Sequence, residues 1–130
     1  ETEVVDLRTI TPWDFETVAA SVKKTGKLAI VHEDHVTQGF GAEIAARVSG
    51  SLFEWLDAPI LRIGAKDIPV GFSRVLEREI LPQEDDILAG LLGLLRYLRP
   101  GWGKNPHVQS RPFALHSGAF FCRSVVYAGD

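Results

Sequence analysis

Short β-branched segments alternate with amphipathic ones along most of the chain, and this alternation constrains the fold more than any other feature. The segments EVVDLRTI, KLAIVHE and APILRIGA predict strands, and the continuous apolar run from Leu28 to Val31 is typical of a strand covered on both faces. Helical segments separate the strands and follow the third one. This order predicts right-handed crossovers and a mainly parallel sheet between helices, which is a three-layer α/β/α sandwich.

The first predicted helix lies in TPWDFETVAASVKKTG, and local signals mark both of its ends. Thr11 is the predicted N-cap, Pro12 suits the first helical position, and Gly26 is predicted to end the helix. Apolar residues at helical spacing predict the buried face, namely Phe15, Val18, Ala19 and Val22.

Three more helical segments follow. The second helix is predicted from about residue 41 to 56, with one apolar stripe formed by Ile44, Val48, Leu52 and Leu56. After the third strand come a turn-rich stretch, KDIPVGFS, a short helical segment, RVLEREIL, and a last helix from about residue 84 to 97.

Composition excludes several classes of protein. A chain of 130 residues with 45% hydrophobic and 24% charged residues has the profile of one soluble globular domain. No apolar run reaches the length of a membrane span, and a net charge of -3 without a basic stripe argues against nucleic acid as a partner. Cys122 is the only cysteine, so no intrachain disulfide is possible and a reducing compartment is expected.

Two features predict that this domain is incomplete at one end and extended at the other. The sequence lacks methionine and enters its first strand almost at once, so we expect a domain cut at its N-terminal side. Acidic residues outnumber basic ones in residues 1–97, whereas basic residues dominate 98–130, where Gly, Pro and Ser are scattered without a period. We therefore assign the domain to 1–97 and treat 98–130 as a separate, atypical tail with one possible short strand, RSVVYA.

The stretch VHEDHVTQGFGAEI carries the densest group of chemically active side chains, at the predicted end of the second strand. His32 and His35 lack the spacing of a zincin motif, and GFG is neither a full dinucleotide fingerprint nor a Walker sequence. A metal site and a phosphate cradle therefore stay weaker interpretations than a strand-to-helix turn that Gly39 and Gly41 allow to be tight. The serines and the cysteine that could act as nucleophiles sit in no recognised frame: Ser51, Ser73 and Cys122.

Five blocks resemble, in order, the C-terminal, transketolase-like domain of the beta subunit of thiamine-diphosphate-dependent 2-oxo acid dehydrogenases. They are EVVDLRTITPWDFETVAASVKKTGKLAIVHE, GFGAEIAARV, LDAPILRI, DIPVGFS and LPQEDDILAGLLGLLRY. The resemblance includes the pyruvate and branched-chain 2-oxoisovalerate types and fused alpha/beta forms, and it implies one further strand and helix upstream of residue 1. Transketolase and deoxyxylulose phosphate synthase are the alternative thiamine enzymes.

The resemblance also implies a function. Such subunits decarboxylate a 2-oxo acid on thiamine diphosphate and pass the acyl group to lipoyl groups of a multienzyme complex, in the bacterial cytoplasm or the mitochondrial matrix. It places thiamine diphosphate and Mg²⁺ outside this segment, so we expect no catalytic, cofactor-binding or metal residue here and an inert isolated segment. The remaining alternative is a stand-alone, non-catalytic interaction module.

By the same resemblance the segment serves assembly. The expected partners are an alpha subunit or fused alpha half, a second beta subunit and the dihydrolipoyl acyltransferase core, with no nucleic acid and no membrane. The candidates for the subunit interface are His32, Glu33, Gly39 and Gly41. The candidates for docking a basic partner are Asp57, Glu84, Asp85 and Asp86, although solvated acids would give the same pattern.

Overall fold

A computed structural model of the chain describes residues 2–97 and the backbone of residues 124–128. The strands are β1 (Glu3–Asp6), β2 (Ala29–His35), β3 (Leu61–Ala65) and β4 (Ser124–Ala128). The helices are α1 (Phe15–Thr25), α2 (Phe40–Leu52), α3 (Arg74–Ile80) and α4 (Glu84–Arg96), with one 3₁₀ turn at Phe53–Trp55 after α2. The predicted order of strands and helices in 1–97 is confirmed, with ends that shift by a few residues.

The four strands form one parallel sheet in the order β1-β4-β2-β3. The chain therefore crosses from β1 through α1 to β2 and leaves one strand position open between them, which β4 fills. Val126 is the partner of Val5 on one side and of Ile30 on the other. The predicted parallel sheet is confirmed.

The place of β4 corrects one expectation about the tail. A short strand in RSVVYA was predicted, and β4 lies within that segment. The expectation of a tail separate from the domain is wrong for 124–128, because these residues form an inner strand of the sheet. Strand pairing over this sequence distance leaves no local signal in the composition of the tail. Residues 98–123, including Cys122, lie outside the described part of the chain.

Helices cover both faces of β2, so the predicted three-layer arrangement is confirmed. Leu28 and Ile30 pack with the buried faces of α1 and α2, whereas Ala29 and Val31 pack with Ala58 and with Leu94 of α4. Each predicted helical stripe is buried as expected, with Phe15 at its margin: Val18, Ala19, Val22, Ile44, Val48, Leu52 and Leu56. Full burial of the valine, leucine and isoleucine side chains contributes roughly 1.5–3 kcal/mol each and drives the helices onto the sheet.

The start of α1 differs from the prediction. The N-cap is Asp14, whose carboxylate accepts hydrogen bonds from the backbone N–H and the hydroxyl of Thr17 at 3.0 and 2.6 Å. The assignments of Thr11 as N-cap and Pro12 as first helical residue are wrong, because the helix begins at Phe15. Thr11 and Asp14 are both suitable N-cap residues, because a carboxylate caps a helix as well as a hydroxyl does. The helix uses Asp14, which lies next to its first apolar residue, Phe15.

The far end of α4 is tied to the beginning of β2 by Lys27. Its ammonium group donates to the backbone oxygens of Leu94, Leu95 and Tyr97 at 2.9, 3.0 and 3.2 Å. The Leu94 carbonyl also accepts the N–H of Tyr97 at 3.4 Å. Carbonyls at the end of a helix are short of intrahelical partners, and the negative end of the helix dipole favours a cation there. No helix among the described residues is long and apolar enough to cross a membrane.

Gly26 closes α1 as predicted, and it supplies the first mutational test. Its φ of 74° is left-handed, and a Cβ there would overlap the carboxylate of Asp57. We expect Gly26→Ala to lower the free energy of unfolding by at least about 1–2 kcal/mol, because an L-residue is strained in this region. Urea unfolding measures the change.

Gly50 is the matched control for this substitution. It lies in α2 with an exposed backbone, and a Cβ would meet no atom within 4 Å. Gly50→Ala should raise stability by up to about 1 kcal/mol, because alanine is the better helix former. Equal effects of the two substitutions would contradict the role given to Gly26.

Candidate functional site

The turn between β2 and α2 lies at the carboxyl edge of the parallel sheet, where ligands bind in open α/β folds. Asp34, near the end of β2, accepts the backbone N–H of His35 at 2.8 Å and that of Phe40 at 3.2 Å. These two hydrogen bonds hold the pKa of the Asp34 carboxyl below its usual value, so it is ionised at neutral pH. The carboxylate thus occupies the positive end of α2 that an anionic ligand would need.

A second loop, after β3, is fastened to this turn. The carboxylate of Asp67 accepts the N–H of Thr37 at 3.1 Å and its hydroxyl at 2.5 Å, and both bonds lower the pKa of Asp67. Arg62 donates to the backbone oxygen of Val36 at 2.7 Å. The Nε2 atom of His35 lies 3.1 Å from the backbone oxygen of Ile68. The two loops therefore form one cross-linked rim.

The glycines shape this rim by close approach. The left-handed residue of the turn is Gln38, with a φ of 63°, whereas Gly39 is extended. A Cβ on Gly39 would overlap the backbone oxygen of His35, and one on Gly41 would overlap the ring of His32. The expected tight turn is present. It depends on the absence of a side chain at Gly39 and Gly41.

His32 is a buried imidazole. The residue is 2% exposed, and neither ring nitrogen has a hydrogen-bond partner among the described residues. Its ring packs against Gly41 on one side and lies 3.1–3.3 Å from the place of a Cβ on Gly64. Burial lowers the pKa of His32, the Asp34 carboxylate opposes that shift, and Arg62 adds to it.

These positions limit how the predicted interface residues could act. His32, Gly39 and Gly41 are buried within the chain, and Glu33 is the one candidate of the four with an exposed side chain. The subunit-interface role of this group stays a prediction. If it is correct, the buried members act by setting the shape of the rim, and Glu33 is the member that can touch a partner.

The predicted docking residues do not come together. Asp57 precedes β3 and shares a cavity of about 260 Å³ with Phe53, Pro59 and Tyr97. Glu84, Asp85 and Asp86 begin α4 at the opposite edge of the sheet, roughly 20 Å away along a 13-residue helix. The docking candidates therefore lie on two separate surfaces, and their docking role stays a prediction.

The acidic residues at the start of α4 also cap the helix and lie near cationic side chains. Asp86 accepts the backbone N–H of Gln83 at 3.1 Å and closes a capping box. Asp85 and Asp86 line a cleft of about 440 Å³ together with Lys66 and Arg78. These cations weaken the case for a basic partner at this end.

One surface was not predicted from the sequence, because its segment has the composition of a turn. Five large apolar side chains between β3 and the first turn of α3 are exposed: Ile68, Val70, Phe72, Val75 and Leu76. We call them the 68–76 apolar surface. The exposed fraction is 48% for Ile68 and complete for Phe72, and exposed apolar groups this close together along the chain are typical of interaction sites. The signal was available in KDIPVGFSRVLE, where apolar residues recur without fitting a helix or strand period.

Metal-binding side chains are not clustered among the described residues. No group of three or more His, Cys, Asp and Glu side chains in this part of the chain could hold a metal ion. Ser73, one of the serines considered as a nucleophile, caps α3 by accepting the N–H of Leu76 at 3.3 Å. An Mg²⁺–diphosphate group does not fit the rim, because the Asp34 carboxylate accepts backbone N–H groups of its own turn and the Asp67 carboxylate accepts the N–H and the hydroxyl of Thr37.

The sequence profile of the transketolase C-terminal domain family matches residues 1–87. The chain belongs to this family. The strand-helix alternation and the parallel sheet are thus those of a transketolase C-terminal domain, as the sequence blocks implied.

Curated relatives of this transketolase C-terminal domain are beta subunits. Over 88 residues it is 46% identical to the pyruvate dehydrogenase E1 component subunit beta of Rhizobium meliloti, covering 68% of this chain and 19% of the relative. It is 44% identical over 89 residues to the human mitochondrial protein of that name, covering 68% of this chain and 25% of that protein. The 2-oxoisovalerate dehydrogenase subunit beta 2 of Arabidopsis thaliana is 44% identical over 95 residues, which cover 73% of this chain and 26% of the relative. The domain thus spans only about a fifth to a quarter of the length of these relatives.

The buried imidazole predicts a pH dependence for the transketolase C-terminal domain. Folded His32 stays neutral because burial lowers its pKa, whereas the unfolded side chain binds a proton near the ordinary histidine pKa of about 6.5. The unfolded state therefore binds more protons below that pH, so stability is full above it and falls as the pH drops towards the lowered folded pKa. Urea unfolding between pH 7.5 and pH 5.5 should record this loss.

Substitutions of His32 test whether this residue causes the loss of stability at acid pH. His32→Leu should remove most of the pH dependence in this range, and His32→Asn, which is smaller and uncharged, should do the same. The control is His35→Gln, on the same strand but half exposed, which should retain the acid-dependent loss. An unchanged slope in both His32 variants would show that another group causes it.

Proposed function

We propose that this chain is part of the beta subunit of the decarboxylating component of a 2-oxo acid dehydrogenase, where it serves assembly and docking. The observation that carries the proposal is the 44–46% identity, over 88–95 residues, to beta subunits of both pyruvate and 2-oxoisovalerate dehydrogenases. Since both kinds of relative match equally well, the proposed substrate class is a 2-oxo acid. The compartment follows the source, either the bacterial cytoplasm or the mitochondrial matrix.

The chemistry of the whole enzyme belongs to its cofactor. Thiamine diphosphate with Mg²⁺ supplies a stabilised carbanion when it is bound, and we place its binding residues outside this segment. The contribution of this chain is a preformed rim at the carboxyl edge of the sheet. Its two aspartates are ionised and occupied by backbone N–H groups, so they hold the loops in place and are unsuited to donate protons.

The assembly role draws support from the 68–76 apolar surface. Exposed Phe72 and its apolar neighbours would lose unfavourable contact with water against another subunit. The proposed neighbours are an alpha subunit or fused alpha half and a second beta subunit. The acyltransferase core would dock elsewhere, at the Asp57 cavity, where Phe53 is 68% exposed beside the carboxylate.

A stand-alone interaction module is the second candidate. The observation that favours it is β4, which lies beyond the residues matched by the family and yet completes the sheet. A chain that fills its own sheet has less need of other domains in order to fold.

The first test is catalytic. The purified 130-residue chain, given thiamine diphosphate, Mg²⁺ and either pyruvate or 2-oxoisovalerate, should release no CO₂ above the rate without protein. An intact decarboxylating component in the same assay is the positive control. Turnover by the chain alone would refute the proposal of an inert segment.

The second test concerns docking of the acyltransferase core. Asp57→Asn should weaken binding of this chain to the core about two- to fivefold, which is the range for an exposed ion pair. Asp85→Asn should have a smaller effect because Lys66 and Arg78 line the same cleft. Affinity is measured by surface plasmon resonance at two salt concentrations.

Glu16→Gln is the control for docking, since Glu16 is an exposed carboxylate on α1. It should leave the affinity unchanged. If Asp57→Asn behaves like Glu16→Gln at both salt concentrations, the Asp57 cavity is not the docking surface.

A further inference from the structure

The 68–76 apolar surface lies on a segment that packing leaves exposed. From Lys66 to Glu79 every residue is exposed except Gly71, which is half-buried, whereas Ala65 and Ile80 on either side are buried. Burial of apolar side chains therefore does not fix the position of this segment. A segment with so few buried contacts keeps one conformation only if hydrogen bonds hold it.

Contacts within the segment shape it as one unit. The hydroxyl of Ser73 accepts the N–H of Leu76 at 3.3 Å. Gly71 approaches Leu76 so closely that a Cβ at this glycine would overlap the leucine side chain. At the base, the N–H of Lys66 donates to the backbone oxygen of Ile80 at 3.1 Å. The two ends of the segment are thus joined, but one hydrogen bond at the base does not fix the direction in which the segment points.

Three contacts with the turn after β2 fix this direction, and we call them the latch. The carboxylate of Asp67 accepts the N–H of Thr37 at 3.1 Å and its hydroxyl at 2.5 Å. The Nε2 atom of His35 lies 3.1 Å from the backbone oxygen of Ile68. The two Thr37 bonds lower the pKa of Asp67 and keep it ionised, so they are charge-assisted. The latch therefore holds the segment where its apolar surface begins.

The turn is a firm support for the latch, because it is bonded to the sheet and to α2. The N–H of Val36 donates to the backbone oxygen of Ala65 at 3.2 Å, and Arg62 donates to that of Val36 at 2.7 Å. Asp34 accepts the N–H of Phe40 at 3.2 Å and joins the turn to the start of α2. The latch thus connects an exposed segment to a fixed part of the domain.

We propose that His35, Thr37 and Asp67 are positioning residues that hold the 68–76 apolar surface in the orientation in which it binds the alpha subunit. This inference rests on the subunit role proposed above and names the residues on which that role depends. A surface already in place binds more tightly, because less entropy is lost in ordering it on binding. When only a fraction of the molecules hold the binding orientation, the apparent affinity falls by that fraction.

Hydrogen exchange tests whether the latch holds the segment. Three single variants of the full 130-residue chain remove it: Thr37→Val, Asp67→Ala and His35→Ala. Exchange in residues 66–81, followed by mass spectrometry, should become about three- to tenfold faster in each variant. The latch is exposed, so the stability of the whole domain should change little, and urea unfolding checks that each variant folds.

Binding is measured by surface plasmon resonance on the immobilised alpha subunit of a pyruvate dehydrogenase E1 component. Each latch variant should bind about three- to tenfold more weakly than the unmodified chain, in proportion to its faster exchange. Phe72→Ala should weaken binding without faster exchange, because its ring is fully exposed and holds nothing in place.

Two control variants separate the latch from the loss of any hydroxyl. Thr37→Ser keeps the hydroxyl and the N–H, and should therefore behave like the unmodified chain in both measurements. Ser51→Ala removes an exposed hydroxyl in the last turn of α2, at the end of the helix opposite the latch. It should leave both the exchange and the affinity unchanged.

Two results would overturn the inference. One is an unchanged exchange rate in all three latch variants, since other contacts would then hold the segment. The other is faster exchange with unchanged affinity while Phe72→Ala weakens binding, since docking would then not depend on the latch. No binding by the unmodified chain, or unchanged affinity for Phe72→Ala, would instead refute the subunit role of the 68–76 apolar surface, and the docking part of the inference with it.

Discussion

The burial of β2 on both faces is the constraint on which the other elements depend. Four consecutive apolar residues, Leu28–Val31, cannot be solvated on either side, so α1 and α2 must cover one face and α4 the other. Pairing with β3 and β4 then satisfies the backbone groups on both of its edges. Helices on both faces and strands on both edges thus enclose β2. The turn that follows it is therefore held at a fixed place on the carboxyl edge, and the rim with its two engaged aspartates lies there.

Local sequence signals predicted the parts of the fold that local forces decide. The Leu28–Val31 run and the stripe from Ile44 to Leu56 are apolar patterns whose burial needs no knowledge of the rest of the chain, and both are confirmed. The cap of α1 was missed because Thr11 and Asp14 are both good caps and the choice depends on where the packed face begins. The inner place of β4 could not be predicted, since pairing between Val5 and Val126 is set by topology and not by any neighbour in sequence.

The sequence predicted the position of the candidate site but not the burial and hydrogen bonding of its side chains. The sequence located the turn after β2 and the role of Gly39 and Gly41 in it, yet it suggested side chains that face a partner. In the structure His32 is buried, with no partner for its ring nitrogens among the described residues, and Asp34 is engaged by the backbone. Whether a polar side chain ends beneath a helix or on the surface depends on packing in three dimensions, in this case on how closely Gly41 approaches the ring. A list of residue types along the chain does not contain that information.

The three hydrogen bonds of Lys27 have a consequence for the path of the chain. They fasten the end of α4 beside the first residues of β2, at the edge where every strand of a parallel sheet begins. The chain therefore leaves the described domain at Tyr97 on the same edge at which it returns as Ser124. Exit and return on one side mean that the chain need not cross from one edge of the sheet to the other before β4 begins. Lys27 thus places the exit of the chain on the side of the fold where the parallel direction of β4 places its return.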